Sequence, residues 1–197
     1  MARQRRDGRA ADELEKRMTT LETERLTLRP WTRDDLDVYA EIFSNDDVMR
    51  FSFTRRGLTR QESESHLERM VRHFEKNGFG YWAVIPKDVG RIVGYTGLQV
   101  PWWFRDLLPA IELGYRYHPD FWKRGYATEA GAAALGFGFE QLSLDEIIAI
   151  YEPANVASGR VMERLGMRFV RDVTHPVERD LLRIYAIDKE SWTQRSR

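Results

Sequence analysis

The sequence predicts one α/β domain: a central mixed, mostly antiparallel sheet of about seven strands, flanked by helices. Three observations carry that prediction. At 197 residues the chain is long enough for one well-buried core and short for two. Between residues 80 and 119, three strand-like segments follow one another with only short connections, which favours antiparallel pairing. After residue 124 the pattern changes to helix, strand, helix, strand, strand.

Taken in order, residues 1–20 are charged and lack large apolar anchors, so they read as a mobile arm, with the domain spanning 21–190 and a tail at 191–197. "RLTLRP" (25–30) alternates apolar and polar residues and stops at Pro30, as a strand does. "TRDDLDVYAEIFS" follows with Thr32 as N-cap and Leu36, Tyr39, Ala40 and Phe43 on one helical face. A second helix over 59–78 pairs Thr59 with Glu62 as a capping box and stops at Gly78. Strands are expected at 80–86, 91–100 and 110–119, the first two forming a hairpin across "KDVG". A helix over 125–141, the strand "EIIAIY" (146–151), a helix over 155–165 and strands near 167–173 and 181–188 complete the chain.

Composition removes several function classes. Lys plus Arg and Asp plus Glu each number 31, so the balanced charge gives no reason to expect nucleic acid or an anionic membrane as partner. There is no cysteine, which excludes disulfides, thiolate metal sites and a cysteine nucleophile. No run of about 18 apolar residues is present for a membrane span. The basic start lacks the apolar stretch of a secretory signal, so a cytoplasmic location is expected. No metal site is expected, because His66 and His73 lie two helical turns apart without partner ligands.

The stretch "FWKRGYATEAG" (121–131) ends a strand, turns on Lys123-Arg124-Gly125 and starts a helix with little bulk at its mouth. The first N–H groups of a helix lack intrahelical partners and carry the positive end of the dipole, so they suit a phosphate or pyrophosphate. Gly125 and Ala127 leave room for one, Lys123 or Arg124 adds charge, and Thr128 offers a hydroxyl. A plain strand-to-helix turn with a glycine satisfies the same residues. Neither GxxxxGK[ST] nor GxGxxG occurs.

"ELGYRYHPDFWKRGYATEAGAAALGFGF", followed by "EPANVASGRVMERLGMRFV", resembles the GCN5-related N-acetyltransferase (GNAT) superfamily, and within it the ribosomal-protein N-terminal acetyltransferases of the RimJ/RimL type. The likeness runs from about Glu22 to Ile187. It implies acetyl-CoA as co-substrate, direct transfer to a primary amine, and a splay between the strands at 110–118 and 146–151 that takes the pantetheine. The pyrophosphate then falls to Trp122, Lys123, Arg124, Gly125, Tyr126, Ala127 and Thr128, with Trp122 standing where the family pattern has Gln or Arg. Leu113, Gly114, Tyr115 and Asn155 are expected against the pantetheine. A possible homodimer is implied by the family, although no stretch specifies an interface.

For the base, Glu112 stands first, since it occupies an otherwise apolar strand where burial raises a carboxyl pKa. A solvent-facing Glu112 on an alternating strand is the competing reading. The resemblance adds Glu178, and His175 is a further proton acceptor or a turn residue. For the acid, the tyrosine that many members carry seven residues after the helix-opening asparagine is replaced by Met162, which donates nothing. Ser158 matches the serine of the RimJ/RimL branch near the CoA sulfur, and also suits a helix first turn. A catalytically silent acyl-CoA-binding module is the alternative that Met162 raises. Phe51, Phe53, Trp102 and Trp103 either line the amine pocket or cover the core, with Arg55 beside them and Tyr81 and Trp82 assigned to core or hairpin. A protein N-terminus and a small-molecule amine remain equal as acceptors.

Overall fold

The computed structural model describes residues 19–195, so the expected arm lies outside the described residues apart from Thr19 and Thr20. Eight strands form one sheet in the order β1-β2-β3-β4-β5-β6-β8-β7. They are β1 (Leu21–Glu22), β2 (Leu26–Pro30), β3 (Tyr81–Pro86), β4 (Gly94–Gln99), β5 (Glu112–Tyr117), β6 (Glu146–Tyr151), β7 (Arg168–Thr174) and β8 (Leu181–Asp188). The strand beyond the expected seven is β1, whose two residues pair Leu21 with Leu28 and Glu22 with Thr27, too short to leave a pattern. The helices are α1 (Leu36–Phe43), α2 (Asp46–Met49), α3 (Arg60–Asn77), α4 (Tyr126–Glu140), α5 (Val156–Arg164) and α6 (Lys189–Arg195). Thus the segment expected as a tail is helical as far as Arg195, with Trp192 against Phe139 at 6.1 Å between rings.

Every neighbouring pair of strands is antiparallel except β5–β6. The expected hairpin is present, with Trp82 opposite Thr96. β3 is buried on both faces, and its period-two alternation divides the core. Trp82 and Val84 join Leu26, Leu28 and Leu113 against Ala130, Ala134 and Leu135 of α4. Tyr81 and Ala83 join Tyr95 against Tyr39, Phe43, Leu67 and Val71 of α1 and α3. α4 therefore covers one face of the sheet, and α1 with α3 the other.

Helix ends follow local chemistry. Thr59 caps α3 by accepting the Glu62 N–H at 3.2 Å, while the Glu62 carboxylate accepts the Thr59 N–H at 2.8 Å. Gly78 closes it at φ 75. Thr32 does not open α1 directly. A 3₁₀ turn over Arg33–Asp35 comes first, with the Asp35 carboxylate accepting the Thr32 N–H at 2.8 Å and holding Arg29 in two hydrogen bonds.

The one parallel junction places the site. β5 and β6 share a single paired position, Glu112 with Ile148, plus the bond from Ile148 N to Ile111 O at 2.9 Å. Beyond it the strands part, which is the expected splay. Because α3 walls the cavity described below, its cap is a suitable handle on the acceptor side. Thr59→Ala removes half of the capping box and should cost about 1 kcal/mol in denaturant unfolding, whereas a loss below about 0.3 kcal/mol would show that packing alone holds this end.

Candidate active site

The turn before α4 has the geometry of an anion cradle. Gly125 sits at φ 82 and Lys123 at φ 62, so the chain turns through two left-handed residues. The first helical bond runs from Thr128 N to Gly125 O at 3.1 Å, which leaves the N–H groups of Gly125, Tyr126 and Ala127 ahead of the ladder. A Cβ on Gly125 would meet only an Arg25 guanidinium nitrogen, at 3.4 Å. Glycine is therefore required by backbone conformation and by approach from outside, and not by packing. The side chains divide: Tyr126 is buried in the core, whereas Lys123 and Arg124 are exposed, with Arg124 over the Phe121 ring at 5.1 Å. Trp122 donates its indole N–H to Tyr117 O at 2.7 Å and leaves its ring 46% exposed at the turn.

The turn is held from below by residues that sequence reasoning missed. Arg25 donates to Arg124 O at 3.1 Å and to the Glu129 carboxylate at 2.7 Å, and Glu129 also accepts the Thr23 hydroxyl at 2.6 Å. These partners lie about a hundred positions apart, so no local pattern reveals them.

Beyond Glu112 the edge of β5 toward β6 carries no sheet pairing, which leaves Leu113, Gly114 and Tyr115 on an open edge. Asn155 caps α5 through its side-chain oxygen, which accepts the Ser158 N–H at 3.3 Å. Tyr115 reaches across the splay to the same turn, donating to Ser158 O at 2.9 Å with its oxygen 3.0 Å from Ser158 Oγ. With the phenol proton on the carbonyl, the serine hydroxyl is the donor of that pair. Met162 is fully buried in the core.

On the opposite face of the sheet lies a cavity of about 780 Å³. Glu112 stands in its wall, 7% exposed, accepting a hydrogen bond from Gln99 Nε2 at 3.2 Å. Burial pushes its pKa up to about 7, and hydrogen bonds from Gln99 and Trp103 pull it back only in part. The solvent-facing reading of Glu112 is thus set aside. Phe51, Phe53, Trp102 and Trp103 all line the cavity, while their neighbour Phe104 turns into a small core cluster with Ile148 and Ile184. Tyr81, assigned to core or hairpin, also faces the cavity; Trp82 is core.

Of the two readings of His175, its hydrogen bonds are those of the turn residue. It is 4% exposed and stacked on Trp103 at 5.3 Å, and its Nδ1 accepts the N–H groups of Val177 and Glu178 at 3.2 and 2.9 Å. The ring proton then sits on Nε2, which has no partner among the described residues. Glu178 stands on the rim beside Arg55, whose guanidinium lies 3.6 Å from Glu178 and 2.5 Å from Glu152 and also pairs with Asp180. Arg55, at φ 56, ties the α2–α3 loop to the loops after β6 and β7.

The Glu112 shift has a thermodynamic sign. Its folded pKa of about 7 exceeds the ordinary 4.5, so the protonated form is favoured in the fold, and that contribution is lost as pH rises through 7. Across that window the wild type should lose about 3 kcal/mol relative to Glu112→Gln. Denaturant unfolding of both proteins at about pH 5 and pH 8 checks this, and parallel curves would place the carboxylate in water.

A family model described as an acetyltransferase (GNAT) domain matches residues 25–168. The chain is 31% identical over 153 residues to the uncharacterized N-acetyltransferase YoaA of Bacillus subtilis (strain 168), covering 75% of this chain and 82% of that one. A GNAT-family acetyltransferase structure from Bacillus anthracis has a TM-score of 0.73 and 27% identity, covering 87% of this chain and 99% of the other. The ribosomal-protein-S5-alanine acetyltransferase of Vibrio fischeri shares the fold, with a TM-score of 0.70, 18% identity, and coverage of 88% and 98%. The matched residues contain the turn at Gly125, the splay beside Glu112 and the helix opened by Asn155. The chain belongs to the GNAT acetyltransferase family and is an acyltransferase.

Proposed function

We propose that this enzyme transfers an acetyl group from acetyl-CoA directly to the primary amine of a small molecule, with Glu112 as general base. The observation that carries this reading is the position of Glu112. It is a buried carboxyl at the one point where β5 and β6 still touch, and it borders the cavity on the far side of the sheet from α4.

The residues fit acetyl-CoA as co-substrate. The unladdered amides of Gly125, Tyr126 and Ala127 suit a pyrophosphate, with Lys123 and Arg124 adding charge and Trp122 and Thr128 flanking. Leu113, Gly114 and Tyr115 offer an unpaired strand edge to the pantetheine, and Asn155 stands across from them. The co-substrate supplies an acetyl group activated as a thioester. Glu112 takes the proton that the attacking amine must shed, and its raised pKa suits proton transfer near neutrality. Ser158, by turning its one hydroxyl proton from Tyr115 Oη toward the slot, supplies the hydrogen bond for the leaving sulfur, in place of the tyrosine that Met162 replaces. Tyr115, whose pKa burial drives up, stays a neutral phenol and fixes the serine's turn. Direct transfer needs no enzyme nucleophile, in keeping with a chain that lacks cysteine. A small acceptor is favoured over a protein N-terminus because the cavity volume is that of a ligand pocket and Arg55 bridges three loops at its rim.

Two measurements test the reading. Calorimetric titration with acetyl-CoA should show at least about tenfold weaker binding to Gly125→Glu than to Gly125→Ala. Both variants carry the strain of φ 82, so the difference isolates repulsion between the new carboxylate and a pyrophosphate. Equal affinities would remove the ligand from this turn. In thiol release from acetyl-CoA, kcat/KM of the wild type should rise with pH to a plateau above about 7, because the base must be ionised. Glu112→Gln should lower kcat by roughly 10²–10⁴ and abolish that limb, whereas an unchanged profile would assign the base elsewhere. The lack of cysteine keeps the thiol readout free of protein background.

A further inference from the structure

The cavity carries charges of both signs. Glu112 stands in its wall, and the rim carboxylates Glu152, Glu178 and Asp180 are gathered on Arg55. Arg116, four residues beyond Glu112 on β5, and Arg69 of α3 also line it, and neither has an ion-pair partner among the described residues. Arg116 is half-buried, and its neighbours are the Met49 sulfur at 3.2 Å and the face of the Tyr95 ring at 6.0 Å. A partly desolvated guanidinium with an unfilled fork of donors matches a carboxylate or phosphate that the protein itself does not provide. His66 supplies no counter-charge: it is held neutral, its pKa lowered to about 3 by burial and the charges of Arg69 and Arg116, and its Nδ1 lies 2.5 Å from Tyr39 Oη.

Glu112 and Arg116 lie on the same face of β5, roughly 13 Å apart along the strand. Between them Gly114 has no side chain, and the Tyr81 phenol occupies the space above it: a Cβ at 114 would come within 2.4 Å of the Tyr81 oxygen. The floor thus runs from carboxyl to phenol to guanidinium. We infer that the acceptor is a small amine that also carries an acidic group, a carboxylate or phosphate several bonds from its nitrogen, with the amine at Glu112 and the acid at Arg116 and Arg69. The inference rests on acetyl transfer with Glu112 as base. A polyamine fits poorly, since its far end would meet Arg116 and leave that cation unpaired.

Matched pairs of probes test this: glycylglycine against its amide, 4-aminobutyrate against butylamine, and O-phosphoethanolamine against ethanolamine. Calorimetry with saturating CoA present keeps the phosphate probe out of the Gly125 turn, and thiol release from acetyl-CoA is followed in parallel. At least one acid-bearing member should bind about tenfold more tightly than its neutral mate, the carboxylate and phosphate arms separating the two sources. Arg116→Gln should bring that ratio close to one, and Arg116→Lys should restore part of it. Arg69→Gln, at an exposed position that does not endanger folding, should reduce the same ratio. Equal or inverted binding in all three pairs, or a preference that survives Arg116→Gln in a folded protein, overturns the inference. Where all three pairs bind equally, tight glycylglycine binding points to a protein N-terminus. Acid-selective binding without thiol release from any amine supports the subsite and overturns Glu112-based acetyl transfer; thiol release without acid selectivity does the reverse.

Discussion

The single pairing of Glu112 with Ile148 is the constraint on which the rest depends. Fully zipped, β5 and β6 would satisfy each other's backbone groups and close the sheet. Joined at one position only, they keep β6 in register with β8 on its other side while the edge of β5 after Glu112 stays open. That geometry also puts a carboxyl at the vertex, where burial excludes water and raises its pKa. One defect in pairing thus opens a slot in the sheet and leaves a buried carboxyl beside it.

Strand periodicity turns that vertex into a two-sided site. Along β5, Leu113 and Tyr117 face the α4 core, whereas Glu112 and Arg116 face the cavity walled by α3. In the proposed reaction the co-substrate turn belongs to α4 and the acceptor cavity to the α1–α3 side, so the two ligands would approach from opposite faces and meet only where the sheet is open. A one-residue slip of β5 would exchange the two sets and destroy both halves.

Holding the site together is mostly the work of contacts between distant segments. Arg25 and Glu129 brace the turn before α4, and Tyr115 fastens β5 to the first turn of α5. Arg55 gathers three rim carboxylates from the far loops. Arg25 and Arg55 are both partly exposed, so their ion pairs add little stability, and their effect is positional.

Alternation in "RLTLRP" and "GYWAVIP", the capping residues Thr59 and Gly78, and the small residues around Gly125 were sufficient to place strands, helices and the turn before α4, because these are local properties of the chain. Glu112 was legible as a carboxylate in an apolar strand, and Met162 as a missing acid. What the sequence could not determine was which face each side chain would meet. Tyr81 and Trp82 are adjacent aromatics of equal β-propensity, yet one lines the cavity and the other fills the core. His175 became a donor only because two backbone amides from its own loop occupy Nδ1. Arg116 lacks an ion pair because, among the described residues, no carboxylate is folded directly against it. Desolvation, tautomer and pairing are properties of the space around a residue, and that space is filled by segments a hundred positions away.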